Sequence, residues 1–263
     1  MRNFKNKFIK FLLSYGLIWG RDIGLHYGRL KEFKSDFSRF KSKYDAENNS
    51  RFLLEWKDRY PCLYDKSEST PYDRHYIYHP AWAARVLAKV KPKKHLDFSS
   101  TLTFSSVVSA FFPVEFYDFR PANLNLSNLE SKAADLLKLP FLDGEVESAS
   151  CMHVIEHIGL GRYGDAIDPN GDLTAISELR RIMALGGSLL IVVPVGVPRI
   201  QFNAHRIYSR QQVEDLFPDF YLEEFMLITD DENSVHTIEN ASESIVLEQK
   251  YGCGCFWFKK IKC

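Results

Sequence analysis

The sequence predicts an α/β fold with a mostly parallel sheet covered on both faces, and three observations carry that expectation. From residue 95 onward, short runs that are apolar throughout alternate with helical or loop segments. Most of these runs end in, or run on into, an acidic or imidazole side chain. A helix-period stretch at residues 173–183, with Ile176, Leu179 and Met183 on one face, precedes Gly186-Gly187 and the apolar run "GSLLIVVP". With 263 residues, 45% of them hydrophobic, the chain can bury one large core.

Residues 1–71 read as a basic, aromatic-rich helical extension, and residues 72–263 as the α/β domain. On a helix, Phe4, Phe8, Phe11, Tyr15 and Ile18 share one face and Lys5, Lys7 and Lys10 lie off it. This pattern suits peripheral contact with an anionic membrane surface, or docking on protein. The apolar run at 11–19 is too short to span a bilayer and no cleavage pattern follows it. A cytoplasmic protein is expected, at most peripheral at the inner face of the membrane. Leu30, Phe33, Phe37, Phe40 and Tyr44 repeat the 3-4 spacing of a second helix. The polar stretches "DAENNS" at 45–50 and "DKSEST" at 65–70 read as linkers.

Up to residue 44 there are eleven basic residues against three acidic ones, yet the whole chain carries 34 of each sign. A formal charge of zero provides no global field to recruit nucleic acid. Five cysteines, an odd count without zinc-ribbon spacing, point to reduced thiols. Cys253-Gly-Cys255 reads as the entry to a strand.

Within the α/β domain, Pro80 is expected to open a helix that runs to about Val90, with Pro92 just beyond its end. The strand-like runs are "HLDF", "VEFYDF", "KAADLL", "ESASCMHV" and "GSLLIVVP". The first ends at Asp97 and enters a loop of small hydroxyl residues beginning Ser99-Ser100. The second ends at Asp118, the third is followed by Asp135, and the fourth by His153, Glu156 and His157. Strand ends of an open sheet line one crevice, so these residues converge on one site. An acidic residue ending the second strand suits both hydroxyls of a ribose, and the N–H groups of a tight first loop suit close approach of a cofactor.

The order His153-x-x-Glu156-His157 has a second reading. Two histidines four apart on a helix, with a glutamate between them, match the inverted zincin pattern. Here "SASCMHV" leads His153 out of a buried strand, and Gly159, Gly161 and Gly164 break any long helix. A site-lining loop is expected, with no metal on these histidines. A divalent ion at Asp165, Asp168, Asn170 and Asp172 is the weaker alternative, because "DPNG" is a turn signal and Asp172 can cap the following helix. Arg162 and Arg206 suit an anionic substrate group, although Arg162 can also pair with Asp165. Tyr76 and Trp82, just before the first strand, offer aromatic faces to a ligand, or else seal the sheet edge.

The segments "KAADLLKLPFLDGEVESASCMHVIEHI" and "LTAISELRRIMALGGSLLIVVP" resemble class I S-adenosylmethionine-dependent methyltransferases of the type 11 group. More specifically, "DRHYIYHPAW", "CMHVIEHIGLGRYGDAIDPNG", "FNAHRIYS" and "YGCGCFWFKK" are similar to domain-of-unknown-function family 268, a branch of that superfamily found among polysaccharide-biosynthesis genes. The resemblance spans about residues 72–260. It implies a Rossmann-like class I methyltransferase sandwich with an antiparallel C-terminal strand, and S-adenosylmethionine as cofactor. It also implies methyl transfer to a hydroxyl of a sugar or glycan precursor. Asp97, Ser99, Ser100, Asp118, Asp135 and His153 then fall to the cofactor, with His157 or His205 accepting the proton and Glu156 orienting a histidine or binding a sugar hydroxyl. The superfamily's D-x-G-x-G is absent, and Ser99 stands where its first glycine belongs, which requires a negative φ or tolerated strain. Two other classes stay open: a non-catalytic scaffold of a glycan-assembly complex, and a zinc hydrolase using His153, Glu156 and His157.

Overall fold

The computed structural model describes residues 20–47, 51–231 and 235–262. The first amphipathic helix, and the membrane contact expected of it, lie outside the described residues, as does Cys263. Among the described residues no helix is long and apolar enough to cross a membrane. Contacts divide the chain into two units, Met1–Pro71 and Tyr72–Cys263.

In the first unit α1, Gly20–Ala46, carries the second aromatic stripe. Trp56 lies 4.9 Å from Phe37 and 6.0 Å from Phe33, ring centre to ring centre. His26 bonds the Tyr64 hydroxyl at 2.7 Å. The stripe thus packs against the 51–66 segment that follows it.

The second unit is an eight-stranded sheet in the order β3-β2-β1-β4-β5-β10-β8-β9. Its strands are β1 His95–Phe98, β2 Val114–Asp118, β3 Leu129–Ala133, β4 Val146–Met152, β5 Met183–Val195, β8 Phe220–Ile228, β9 Thr237–Glu239 and β10 Gly252–Lys260. The first five are parallel, while β10 runs antiparallel between β5 and β8. A separate hairpin joins β6, Arg199–Gln201, to β7, His205–Ile207.

Strand alternation splits the core in two. Leu189, Ile191 and Val193 of β5 face one cluster, beside Ile176, Leu179 and Ile182 of α4, Gly171–Ile182. Val213 of α5, Arg210–Asp215, and Val246 of α6, Glu243–Leu247, join them. Leu190 and Val192 face the other cluster, with Trp82, Val86 and Leu87 of α2, Arg74–Val90, and Phe104 and Val108 of α3, Leu102–Val108. Covering both faces is what makes these strands apolar throughout.

Two elements differ from expectation. α2 starts at Arg74, where Asp73 accepts the Tyr76 N–H at 3.1 Å as N-cap, so Pro80 lies inside the helix rather than opening it. The third strand is Leu129–Ala133, upstream of the apolar "DLL"; it is an edge strand in which only Leu129 is buried, so it lacks the apolar run of the inner strands. Phe256 of β10 is fully buried between Phe225, 4.7 Å away, and Phe258, 5.8 Å away. Phe256→Ala is expected to lower unfolding stability by about 3–5 kcal/mol, read as a lower guanidinium midpoint with an unchanged slope.

Candidate functional site

The carboxyl ends of β1, β2 and β4 are tied together by polar side chains. Asp97 is fully buried and accepts hydrogen bonds from Ser150 at 2.7 Å and from Ser105. Ser150 in turn bridges to His95 Nε2 at 3.0 Å, while His95 Nδ1 meets Ser148 at 2.8 Å. Because Ser150 gives its proton to a carboxylate, it accepts from His95, which fixes the Nε2–H tautomer and leaves Nδ1 to accept from Ser148. Burial pushes Asp97 up to about 6, opposed by its hydroxyl donors, and pushes His95 down to about 3. Asp97 therefore braces β1 against β4 and has no exposed surface for a cofactor, which corrects its expected role.

The loop after β1 turns at Ser99, whose φ is +56°. The strained alternative is the one adopted, and a second hydrogen bond offsets it: the Ser99 hydroxyl donates to the Tyr117 carbonyl at 3.1 Å, alongside its own N–H at 2.8 Å. Ser100 Oγ accepts the Met152 N–H at 3.1 Å, pinning the loop to β4. The N–H groups of Ser100 and Thr101 have no acceptor among the described residues. At the end of β2, Asp118 Oδ1 accepts the Arg120 N–H at 2.7 Å. Asp135, exposed, closes a similar turn with the Leu137 N–H at 2.9 Å. A groove of about 200 Å³ lies between α2 and α3, lined by Tyr76, Pro80, Ala84, Thr101, Phe104 and Val107.

Beyond β4 the chain forms a 3₁₀ turn, Ile155–His157, not the helix that an inverted zincin needs. His153 ends the strand with φ +58° and is buried. Its Nδ1 meets Glu156 Oε1 at 2.9 Å and its Nε2 meets the Cys253 sulfur at 3.5 Å, so both nitrogens face buried protein groups and neither is offered to a nucleoside cofactor, a second correction. Burial opposes charge on His153, but the Cys253 sulfur and the Glu156 carboxylate outweigh it and hold its pKa above the ordinary imidazole value. Burial likewise pushes the Cys253 thiol up.

His157 is half-buried, with Nδ1 2.6 Å from the Ala204 carbonyl and Nε2 3.6 Å from Glu156 Oε1. The carbonyl requires a proton on Nδ1, so the Nε2 lone pair remains. Arg162, exposed, reaches the same Ala204 carbonyl at 3.0 Å. It does not pair with Asp165, whose carboxylate takes the N–H groups of Gly159, Gly161 and Tyr163. Gly159 is required there: its φ is +81°, and a Cβ would lie 2.0 Å from the Asp168 carbonyl. His205, on β7, bonds Gln201 at 2.6 Å and stacks on Tyr251 at 4.7 Å. Partial burial and the facing His157 lower its pKa.

Three further expectations are corrected. Trp82 is buried in the core and donates to Glu224 at 2.8 Å, so it offers no face to a substrate. Arg206 is buried and spent on the Ile158 and Pro169 carbonyls at 2.6 and 3.1 Å and on Asp172 at 3.4 Å; it holds the 156–172 loop. Asp172 takes the Tyr208 hydroxyl at 2.8 Å rather than capping α4. Tyr76 remains half-exposed, its ring 5.4 Å from His153. Arg120 lies 5.7 Å from the Tyr163 ring, which is 5.8 Å from His157, so the segments that follow β2 and β4 come together.

His75, His79, Cys253 and Tyr251 escaped the sequence reading. His75 is stacked between His153 at 5.4 Å and Tyr251 at 5.0 Å, and Tyr251 continues the stack to His205. Burial first, and the neighbouring His153 second, push His75 down to about 4 and His79 to about 3. The signal was the two-histidine "HYIYH" on one helix face, joined only in space to "YGCGC".

The strand order, with an antiparallel strand inserted beside β5, defines the class I methyltransferase sandwich. The family model described as "Caenorhabditis protein of unknown function, DUF268" matches residues 141–252. No curated protein sequence matches the chain. Among solved structures, the chain is similar to one described as "Complex between the Haloferax volcanii Trm112 methyltransferase activator and the putative methyltransferase", at 16% identity and TM-score 0.50, over 72% of this chain and 91% of that one. It is also similar to 1,6-didemethyltoxoflavin-N1-methyltransferase of Burkholderia thailandensis, with bound 1,6-didemethyltoxoflavin and S-adenosylhomocysteine, at 12% identity and TM-score 0.50, over 88% and 90%. At such identities the likeness is one of fold.

The Asp97–His95 pair yields a pH test. Below about pH 6.5 the unfolded chain protonates His95 while the folded one does not until about 3, so that group costs stability as pH falls. Between about 6 and 4 the folded state alone keeps a proton on Asp97, which adds stability as pH falls. The two offset each other in the wild type. Asp97→Asn should expose a loss, and His95→Gln a gain, each of roughly 1 kcal/mol per pH unit on going from pH 6 to 4.5. Urea unfolding at stepped pH checks this; parallel slopes in the two variants would contradict it.

Proposed function

We propose that this protein is an S-adenosylmethionine-dependent methyltransferase acting on a hydroxyl group, with a sugar or glycan precursor as the acceptor class. The observation that carries the reading is the convergence of Asp118, the open N–H groups of the Ser99 turn and the His157 Nε2 lone pair at one edge of a sheet of this order. The residues fit the cofactor: Asp118 Oδ2 has no partner among the described residues and suits two ribose hydroxyls. Asp135 lies at the end of the neighbouring strand for the adenine side, and the solved Burkholderia relative binds S-adenosylhomocysteine. When bound, the cofactor supplies an activated methyl group.

The chain's own task is then to orient an oxygen and take its proton. His157 Nε2 accepts that proton, Ala204 holds the ring by Nδ1, and Glu156 Oε1 stands 3.6 Å from the nitrogen where positive charge appears. Glu156 is fully buried, so it acts as a positioning residue. Arg162 is exposed beside His157 and suits an anionic acceptor such as a sugar phosphate. Tyr163 and the His205–Tyr251 stack supply faces for a sugar ring.

Calorimetric titration with S-adenosylhomocysteine should show one binding event. Asp118→Ala should weaken it about 10- to 100-fold, the worth of charge-assisted ribose bonds. With radiolabelled S-adenosylmethionine and a panel of nucleotide sugars, His157→Ala should lower kcat by about 100-fold or more. Absence of any binding heat and of a thermal shift favours the scaffold reading.

A further inference from the structure

Three metal-ligating side chains from three distant elements meet next to the aromatic stack. His75 comes from the first turn of α2, His153 from the end of β4 and Cys253 from the start of β10. One ligand atom of each lies within 4.8 Å of the other two, and all three side chains are buried. We propose that His75, His153 and Cys253 bind a divalent cation of the borderline-soft class, zinc, through two imidazoles and one thiolate. The site differs from the His153-x-x-Glu156-His157 arrangement, and it does not rest on the methyl-transfer reading.

Distance supports it first. Tetrahedral zinc with Zn–N of about 2.0–2.1 Å and Zn–S of about 2.3 Å places the nitrogen and sulfur roughly 3.5 Å apart. His153 Nε2 and Cys253 Sγ are separated by 3.5 Å. Orientation supports it second. His153 Nδ1 is bound to Glu156 at 2.9 Å, which turns the Nε2 lone pair toward the sulfur. This carboxylate–imidazole contact is the one that holds metal-binding histidines in their tautomer and raises their donor strength.

The third argument is an excess of lone pairs. His79 follows His75 by one helical turn, and its ring centre is 5.0 Å from that of His153. Its Nδ1 donates to the His75 carbonyl at 2.7 Å, so its Nε2 carries a bare lone pair. That atom is buried without a partner, and so is Glu156 Oε2. Among the described residues the charge partners of Glu156 are only His153 and His157; no lysine or arginine pairs with it. Buried acceptors without donors are costly. A divalent ion, one thiolate and one carboxylate sum to zero. On binding, the Cys253 Sγ–H bond breaks, sulfur keeps the electron pair for the metal, and the proton leaves to solvent. Thiolate and imidazole donors select zinc over magnesium or calcium.

The test uses the full chain, loaded with zinc or cobalt(II), dialysed against a weak chelator and analysed for metal. About one equivalent of zinc should be retained. The cobalt form should show a thiolate-to-cobalt charge-transfer band in the near ultraviolet and the intense visible bands of a tetrahedral ion. Cys253→Ser should abolish the charge-transfer band, His75→Ala should lose the metal, and His157→Ala should keep it; circular dichroism of each apo variant reports folding. The wild-type cobalt spectrum needs no variant, so a variant that fails to fold leaves the proposal testable. Metal-free wild type after dialysis, a cobalt spectrum without the thiolate band, or metal lost in His157→Ala but kept in Cys253→Ser would overturn it. Binding of S-adenosylhomocysteine is read separately by calorimetry on the same sample, so failure of one reading is distinguishable from failure of the other.

Discussion

The central strands of this protein are buried on both faces, and that constraint decides where chemistry can occur. Residues 188–195 of β5 are all buried, packed on one side by α4 and on the other by α2. A polar side chain inside such a sheet must find all its partners there or cost several kcal/mol. Groups that need to meet a ligand are therefore confined to the strand ends. Asp118, His157 and Asp135 all lie at or just beyond strand ends on the carboxyl side of the sheet.

The exceptions inside the sheet are instructive because they are fully paired. His95, Ser148, Ser150, Asp97 and Ser105 form one chain of hydrogen bonds across β1 and β4. The chain fixes the register of the two strands at the point where Ser99 and His153 leave them. Its two ionisable members are shifted in opposite directions by the same burial, so neither dominates the acid behaviour of the fold. Precision at the cleft thus originates one layer beneath it.

Much of this was legible in the sequence because the signals are local. Continuous apolar runs marked the parallel strands other than β3, and Asp118 and Asp135 marked residues at or just past the carboxyl ends of β2 and β3. The glycines at 159, 161 and 164 marked the loop that Asp165 gathers. Errors arose where a local signal was outvoted by tertiary partners. Pro80 looked like a helix start, but Asp73 supplies the N-cap earlier in the chain, so the proline falls inside α2 and the helix forgoes the N–H it would have given there. Trp82 and Arg206 look available in sequence, but Glu224 and the 156–172 loop carbonyls claim them. The imidazole–thiol cluster was illegible for a different reason. Cys253 follows His153 by 100 positions, and only the insertion of β10 beside β5 brings them together.

Ser99 shows that a left-handed turn can be held without a glycine. A glycine there would adopt the left-handed conformation without cost, whereas a serine loses about 1–2 kcal/mol to its Cβ. The Ser99 hydroxyl recovers about 1 kcal/mol through its bond to the Tyr117 carbonyl. The remaining deficit is small beside the burial of Phe98, which anchors the loop from the strand side in the larger core cluster. The same bond points the side chain back at β2 and away from the free N–H groups of Ser100 and Thr101. A serine at this position therefore raises the energy of the turn, while the Ser100 and Thr101 N–H groups have no acceptor among the described residues.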